Sequence, residues 1–269
     1  MALPPPSESS TALVTGASSG IGAEIARQLA DRGHSLTLLA RREERLRELA
    51  EELRAGHGVR AETVALDLGD AAGRDQLEAR LGELGLAVEV LVNNAGFGDS
   101  SDFHKADRER LVSMVELNCT ALLDLQARFL PAMVERGRGA VINVASTASF
   151  QPLPGTATYA ATKSFVLSLS EATSAELRGT GVTVTALCPG PVKTEFAEVA
   201  GVGGAEESLP GFFWTSVEQV AREGVEAADR GKRVVVPGVM NRAGAITGQH
   251  SPRSLALPIA KRIWRQGAE

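Results

Sequence analysis

The chain has only two cysteines, Cys119 and Cys188, in 269 residues. That is too few for a disulfide framework, and both lie in apolar-rich stretches that suit buried free thiols. No apolar run of about 18 residues occurs, so no membrane-spanning helix is expected. The opening residues, Met1 to Ser10, lack the basic region and apolar stretch of a secretory signal. The expectation is a cytoplasmic protein. An excess of positive charge is also missing, since 28 Lys and Arg stand against 33 Asp and Glu for a net charge of -5. Nothing in that balance attracts nucleic acid or an anionic membrane as a whole. The histidines, His34, His57, His104 and His250, show no pattern that sets one beside a nucleophile, and no Gly-x-Ser-x-Gly elbow is present. A serine hydrolase is therefore disfavoured.

What is present is a 43% hydrophobic composition, enough for a sizeable buried core, and an alternation of short apolar runs with helical patterns. Ala12 to Thr15 reads as a buried strand that runs into Gly16-Ala-Ser18-Ser19-Gly20-Ile21-Gly22 and then a helix with Ile25, Ala26, Leu29 and Ala30 on one face. A glycine turn between strand and helix is a phosphate-binding context. Gly16 permits the tight turn, Gly20 lets backbone amides approach a pyrophosphate, and Gly22 lets the helix pack closely, with its N-terminus attracting the anion.

The next strand, Ser35 to Ala40, ends where nicotinamide-binding folds meet the adenosine ribose. An acidic side chain there would bond the ribose hydroxyls, but the position is Ala40, followed by Arg41 and Arg42. Two guanidinium groups suit a 2′-phosphate, so NADP(H) is expected in preference to NAD(H). The plainer alternative pairs both arginines with Glu43, Glu44 or solvent at the start of a charged helix running to about Arg54. A third strand, near Glu62 to Leu66, precedes Asp67, expected near an adenine. A helical stretch from Arg74 to Leu84 leads to a fourth strand, Val88 to Val92, that stops at Asn93-Asn94-Ala95-Gly96.

Further on, a long helical pattern carries Asn118 among apolar and small residues, over a segment that Pro131 is expected to kink or shorten. A buried amide needs partners. Asn118 can bond a neighbouring backbone carbonyl, or it can hold a water beside a reaction centre. The fifth strand, Ala140 to Ala145, delivers Ser146, and a helix follows from about Tyr159 to Arg178. Positions four apart share a helical face, so Tyr159 and Lys163 are neighbours. A cation there stabilises phenolate, and a tyrosine lowered two or three units from about 10 becomes an acid or base near neutrality. The sixth strand, Val182 to Leu187, runs into Pro189, Gly190, Val192 and Thr194.

In combination these motifs resemble the short-chain dehydrogenase/reductase (SDR) family over roughly Thr11 to Thr194. Thr15-Gly-x-x-x-Gly-Ile-Gly22 is similar to its cofactor turn, Asn93-Asn-Ala-Gly96 to its strand-four motif, and Asn118, Ser146, Tyr159 and Lys163 to its catalytic tetrad. The resemblance implies a Rossmann-type doubly wound parallel sheet of about seven strands with helices on both faces, in a single domain over 11–240. A flexible leader over 1–10 and a tail over 241–269 complete the chain. It implies a carbonyl and secondary alcohol exchange in which Tyr159 is the acid or base, Ser146 orients the carbonyl, Lys163 lowers the tyrosine pKa, and Asn118 holds a relay water. No metal is implied. A homodimer or homotetramer is expected from the resemblance alone. One departure is the absence of a basic residue within the glycine turn, which leaves the phosphate preference to Arg41 and Arg42.

Beyond Thr194 the pattern is less explicit. The segment 195–215 is expected to cover the substrate, and Phe97, Phe150, Leu153, Phe196, Phe212, Phe213 and Trp214 suggest a lipophilic small molecule. The alternative places these aromatics in the core or at a subunit interface. A helix over Ser216 to Asp229 and a last strand over Arg233 to Pro237 follow. The basic amphipathic stretch Leu255 to Arg265 is interrupted by Pro258, so packing on the same or a neighbouring subunit is favoured over membrane contact. A different class of function, a non-catalytic NADP(H)-sensing protein on the same fold, is disfavoured because a sensor needs no proton donor.

Overall fold

A computed structural model describes residues 2–200 and 211–267, with side chains except at 197–199, 212 and 263–267. The strands are β1 Ser10–Thr15, β2 Leu36–Ala40, β3 Ala61–Ala65, β4 Ala87–Asn93, β5 Gly139–Val144, β6 Val182–Leu187 and β7 Val234–Val235. They form one sheet in the order β3-β2-β1-β4-β5-β6-β7, with parallel pairing throughout. This is the doubly wound Rossmann-type arrangement. The strand order reverses between β1 and β4, so the crevice for a ligand opens at the carboxyl ends of those strands.

Strand alternation explains why helices cover both faces. In β1, Ala12 and Val14 point into a cluster with Ile25, Leu29, Leu46, Leu53, Val220 and Val225, whereas Leu13 points into a second cluster with Leu77, Leu125 and Val184. The first face is covered by α1 Gly20–Ala30, α2 Glu43–His57 and the helix Val217–Asp229, and the second by α3 Ala71–Glu83 and α5 Leu122–Arg136. All six residues of β1 are buried, as are all six of β5. Burial on both faces is why Ala12 to Val14 and Ala140 to Ile142 read as apolar runs without alternation.

The long helical pattern after Asn94 resolves into α4 Arg108–Val115, a π-helical turn over Glu116–Ala121, and α5. Pro131 does not shorten α5, which continues to Arg136. The remaining helices are α6 Ala157–Glu176, α7 Glu195–Ala200, α8 Val217–Asp229, α9 Val239–His250 and α10 Arg253–Gly267. Pro258 likewise lies inside α10 rather than ending it. The first residues lie on the body of the protein and do not hang free. Ala2 N donates to Asp229 O at 2.7 Å, and Leu3 is buried in the first cluster.

Candidate active site

Four strand ends converge, and their hydrogen bonds show why each residue type is needed. At the end of β1 the Thr15 hydroxyl donates to Val92 O at 3.1 Å and accepts from Asn94 N and Ala95 N, both at 3.0 Å. The Asn94 side-chain amide donates to Thr15 O at 3.0 Å and Gly16 O at 3.2 Å. Asn94 therefore braces the glycine turn against β4 through its side chain. Thr15, which opens the turn motif, is a positioning residue whose role depends on these distant partners. Gly16 has φ 65°, and a Cβ on it would lie 2.7 Å from the Asn94 amide nitrogen, so conformation and space both demand glycine. Ile21 packs against the first core cluster, fixing the start of α1.

The two arginines after Ala40 separate. Arg42 donates from Nε to Ser18 Oγ at 3.2 Å and from Nη2 to Ser18 Oγ at 3.1 Å and Ser19 Oγ at 2.8 Å. Its Nη1 donates to Glu195 Oε2 at 2.8 Å, and this partner holds the Glu195 carboxyl below its usual pKa. Arg41 is 3.8 Å from Asp67 Oδ2, while Asp67 Oδ1 accepts from Gly69 N at 2.9 Å. Glu43 and Glu44 pair with Arg47 instead, so neither arginine is paired to them, while the Arg41 side chain, 77% exposed, remains largely in solvent. The hydroxyls of Ser18 and Ser19 and the guanidinium of Arg42 form a donor set beside the glycine turn, with no carboxylate at position 40. That chemistry fits a phosphorylated dinucleotide at this edge.

Across the crevice, α6 carries Tyr159 and Lys163 on one face. Lys163 Nζ lies 5.8 Å from the centre of the Tyr159 ring and donates to Val144 O at 2.8 Å. Burial pushes the Lys163 pKa down to about 8. The nearby thiols do not reverse this at neutral pH, because burial raises Cys119 and pushes Cys188 up to about 12, leaving both protonated. Ser146 follows β5 and begins a 3-10 turn over Thr147–Phe150, where its Oγ accepts from Ala148 N at 3.1 Å. Ser149 Oγ donates to Lys163 O at 2.8 Å, tying that turn to α6.

Asn118 sits in the π-helical turn and is 1% exposed. Its Oδ1 accepts from Phe97 N at 3.1 Å, and its Nδ2 donates to Phe97 O at 2.9 Å and Thr162 Oγ1 at 3.1 Å. These bonds to backbone and to Thr162 lock the loop after β4 to α6 and leave Oδ1 able to accept one bond more. A Cβ on Gly96 would lie 2.8 Å from Asn118 Oδ1 and 3.6 Å from Lys163 Nζ, so both polar groups border the space that the missing side chain leaves open. Beneath them Asn93 Nδ2 donates to Asn143 Oδ1 at 2.9 Å, and Asn143 donates to Gln126 and Ser170. This buried amide ladder fixes β4 against β5.

After β6, Pro189 O accepts from Thr147 N at 2.8 Å, and Gly190 lies so close to Asn241 that a Cβ would come within 2.4 Å of it. Val192 bridges to Thr215, and Thr194 stands over Gly20 with its methyl 3.3 Å from where a Cβ would be. Phe196 lies against Tyr159, with their ring centres 5.5 Å apart. Phe97 lies under the Arg110 guanidinium at 5.2 Å, and Trp214 under Lys193 Nζ at 5.6 Å. Phe150 packs on a third core cluster with Val166, Leu167 and Val236. Leu153 O accepts from Thr156 N at the entrance to α6, and Phe213 O accepts from Asn241. The Phe212 side chain and residues 201–210 of the covering segment lie outside the described residues.

Comparison with known proteins agrees with this geometry. The family model for short chain dehydrogenase matches residues 10–201. The NADP-dependent 3-hydroxy acid dehydrogenase YdfG of Salmonella typhi is 39% identical over 198 residues, covering 73% of this chain and 78% of that one. A short-chain dehydrogenase from Sphingobium yanoikuyae, solved in complex with NADPH, is 37% identical with a TM-score of 0.78, covering 89% of this chain and 92% of that one. The bulky-bulky ketone specific alcohol dehydrogenase from Comamonas testosteroni is 31% identical with a TM-score of 0.75, covering 94% and 92%.

Proposed function

The chain belongs to the short chain dehydrogenase family, and from that premise we propose that it is an NADP(H)-dependent oxidoreductase interconverting a carbonyl and a secondary alcohol on a lipophilic small molecule. The observation that carries this reading is the buried Lys163 ammonium 5.8 Å from the ring of Tyr159, beside the strand end that delivers Ser146. When bound, the cofactor supplies or accepts the hydride. Gly16, Ser18, Ser19, Gly20, Ile21 and Gly22 would cradle its pyrophosphate, with Arg42 and Arg41 on the 2′-phosphate and Asp67 by the adenine. Asn94, Ala95 and Gly96, then Pro189, Gly190, Val192 and Thr194, would border the rest. A 2′-phosphate would take over donors that Arg42 now gives to Glu195.

Tyr159 holds the proton that meets the carbonyl oxygen during reduction and takes it back during oxidation. Lys163 stabilises the phenolate left behind, and a cation held in a buried site acts more strongly there than in water. Ser146 Oγ accepts from Ala148 N, which leaves its own O–H to donate to the substrate oxygen. Asn118 would hold the relay water, and the approach of its Oδ1 and of Lys163 Nζ to the same open space beside Gly96 supports that role. Phe196 against Tyr159 gives the site an apolar wall, which supports a lipophilic substrate. Exposed Val112, Val115 and Leu123 on consecutive helical segments support assembly as a homodimer or homotetramer.

The direct test follows NADPH oxidation with a graded panel of ketones and aldehydes, from short polar to bulky apolar, and repeats it with NADH. Turnover that rises with apolar size and prefers NADPH is expected. A preference for NADH would overturn the assignment to Ala40, Arg41 and Arg42, and turnover confined to small polar carbonyls would overturn the substrate class.

A further inference from the structure

We propose that α9 and α10 form a docking face for an anionic lipid surface. The body of the protein takes only one side of α9, where Asn241, Ala245 and Gly248 are buried. The opposite side carries Val239, Ala243 and Ile246 at positions i, i+4 and i+7, with Val239 80% and Ile246 55% exposed. On α10 the spacing repeats in Leu255 and Ile259, which are 64% and 61% exposed. Among the described residues, half of the large exposed hydrophobic side chains, six of twelve, fall between Val239 and Ile259. Scattered apolar side chains need no explanation, but two successive helices with outward apolar stripes do.

The charge distribution selects the occupant. Residues 239–269 hold five cations and a single acid, so they carry +4, while residues 1–238 carry -9, for the -5 of the whole. Arg253, Lys261 and Arg262 are exposed on α10 itself, and because the helix passes through Pro258 they share one element with its apolar residues. An apolar stripe flanked by Lys and Arg is the pattern of a helix that lies in a lipid interface beside anionic headgroups. The acidic remainder would be repelled by that surface, so the body stands away from it and the orientation is fixed. A second copy set tail against tail suits this face less well, since it places +4 on +4. A reciprocal contact of each tail with the other copy's acidic body, by contrast, would close by a twofold axis and is the competing outcome that a molar-mass measurement detects.

Docking there would place the substrate side of the fold toward the bilayer. The buried face of α9 holds that side through Asn241, whose Nδ2 donates to Phe213 O at 3.1 Å and Thr215 Oγ1 at 3.0 Å.

Co-sedimentation of the full chain with phosphatidylglycerol-containing vesicles and with phosphatidylcholine vesicles tests this without reference to turnover. Two variants accompany it: Ile246→Glu/Leu255→Glu/Ile259→Glu, and Lys261→Glu/Arg262→Glu. All five positions are exposed, so unchanged melting temperatures report an intact fold. The wild type is expected to sediment with the anionic vesicles alone, less so as salt rises, and each variant to lose at least ~tenfold in bound fraction. Absence of binding, equal binding to phosphatidylcholine, or variants that bind like the wild type would overturn the proposal. So would a drop in the molar mass of the apolar variant without any vesicle binding by the wild type, because a second copy would then cover the face.

Discussion

Arg42 and Glu195 meet at 2.8 Å across the mouth of the glycine turn, joining the residue before α2 to the first residue of α7. Both side chains are nearly half exposed, at 47% and 42%. Such pairs contribute about 0.2–1 kcal/mol. The arginine would have to leave this carboxylate to serve a 2′-phosphate, so Glu195→Gln should tighten NADPH by up to about fivefold. NADH affinity should not change. Titration by nucleotide fluorescence reads both, and equal effects on the two nucleotides would contradict the competition.

The unequal surroundings of the two arginines give a second expectation. Arg42 is gripped by Ser18, Ser19 and Glu195, whereas Arg41 has a long 3.8 Å contact to Asp67. Arg42→Ala should lower kcat/KM for NADPH by roughly 10- to 100-fold, the effect of about 1.5–3 kcal/mol from a charge-assisted bond, and leave NADH unaffected. Arg41→Ala should do so less. A larger loss in Arg41→Ala would reverse their order.

Tyr159→Phe keeps the ring against Phe196 and removes only the hydroxyl. Loss of a general acid typically costs about 10²- to 10⁴-fold, so kcat should fall within that range while NADPH binding is retained. Turnover near the wild-type value on a genuine substrate would remove Tyr159 from the chemistry.

Lys163 ties stability to pH. Its folded pKa of about 8 lies below the unfolded lysine value of about 10.5. Between those values the unfolded chain binds more protons, so stability rises with pH across that window; below it the full cost of burying the ammonium is present. Urea midpoints for the wild type and Lys163→Met, compared from about pH 7.5 to 10, should show a steeper rise in the wild type. Parallel curves would mean that burial does not perturb this lysine.

Gly190→Ala should destabilise the protein by about 1–3 kcal/mol, since its Cβ would come within 2.4 Å of the Asn241 side chain. In an Asn241→Ala background the same change should cost less. Equal costs in the two backgrounds, measured by denaturant unfolding, would place the strain elsewhere.

Much of this architecture was legible because its signals are local. The run Ala12 to Thr15 followed by three spaced glycines announces β1 and α1, and Val182–Leu187 matches β6 to the residue. Helical spacing makes Tyr159 and Lys163 neighbours, but it is the motifs around them in combination that mark them as a candidate pair. Less legible were features that depend on distant partners. Thr15 acts through Val92, Asn94 and Ala95, almost 80 residues away. Pro131 and Pro258 suggest breaks by propensity, yet both helices run on. Leu3 and Ala2 look like a loose leader until Asp229, at the far end of the chain, supplies a partner. Arg42 has adjacent acids in sequence, but geometry gives those to Arg47 and sends Arg42 to Glu195.

The π-helical turn over Glu116–Ala121 also bears on inheritance by descent. Such a turn contains one residue more than an α-helical path would need. A helix that only packed could acquire the buried Asn118 clamp through a single-codon insertion, without any change in the sheet behind it. Removing one residue from the turn would rotate the whole of α5 by about 100°, one α-helical step. Lineages that lost it would lose the brace between Phe97 and Thr162 at a stroke, so length within these six residues should be held more tightly than their chemical character.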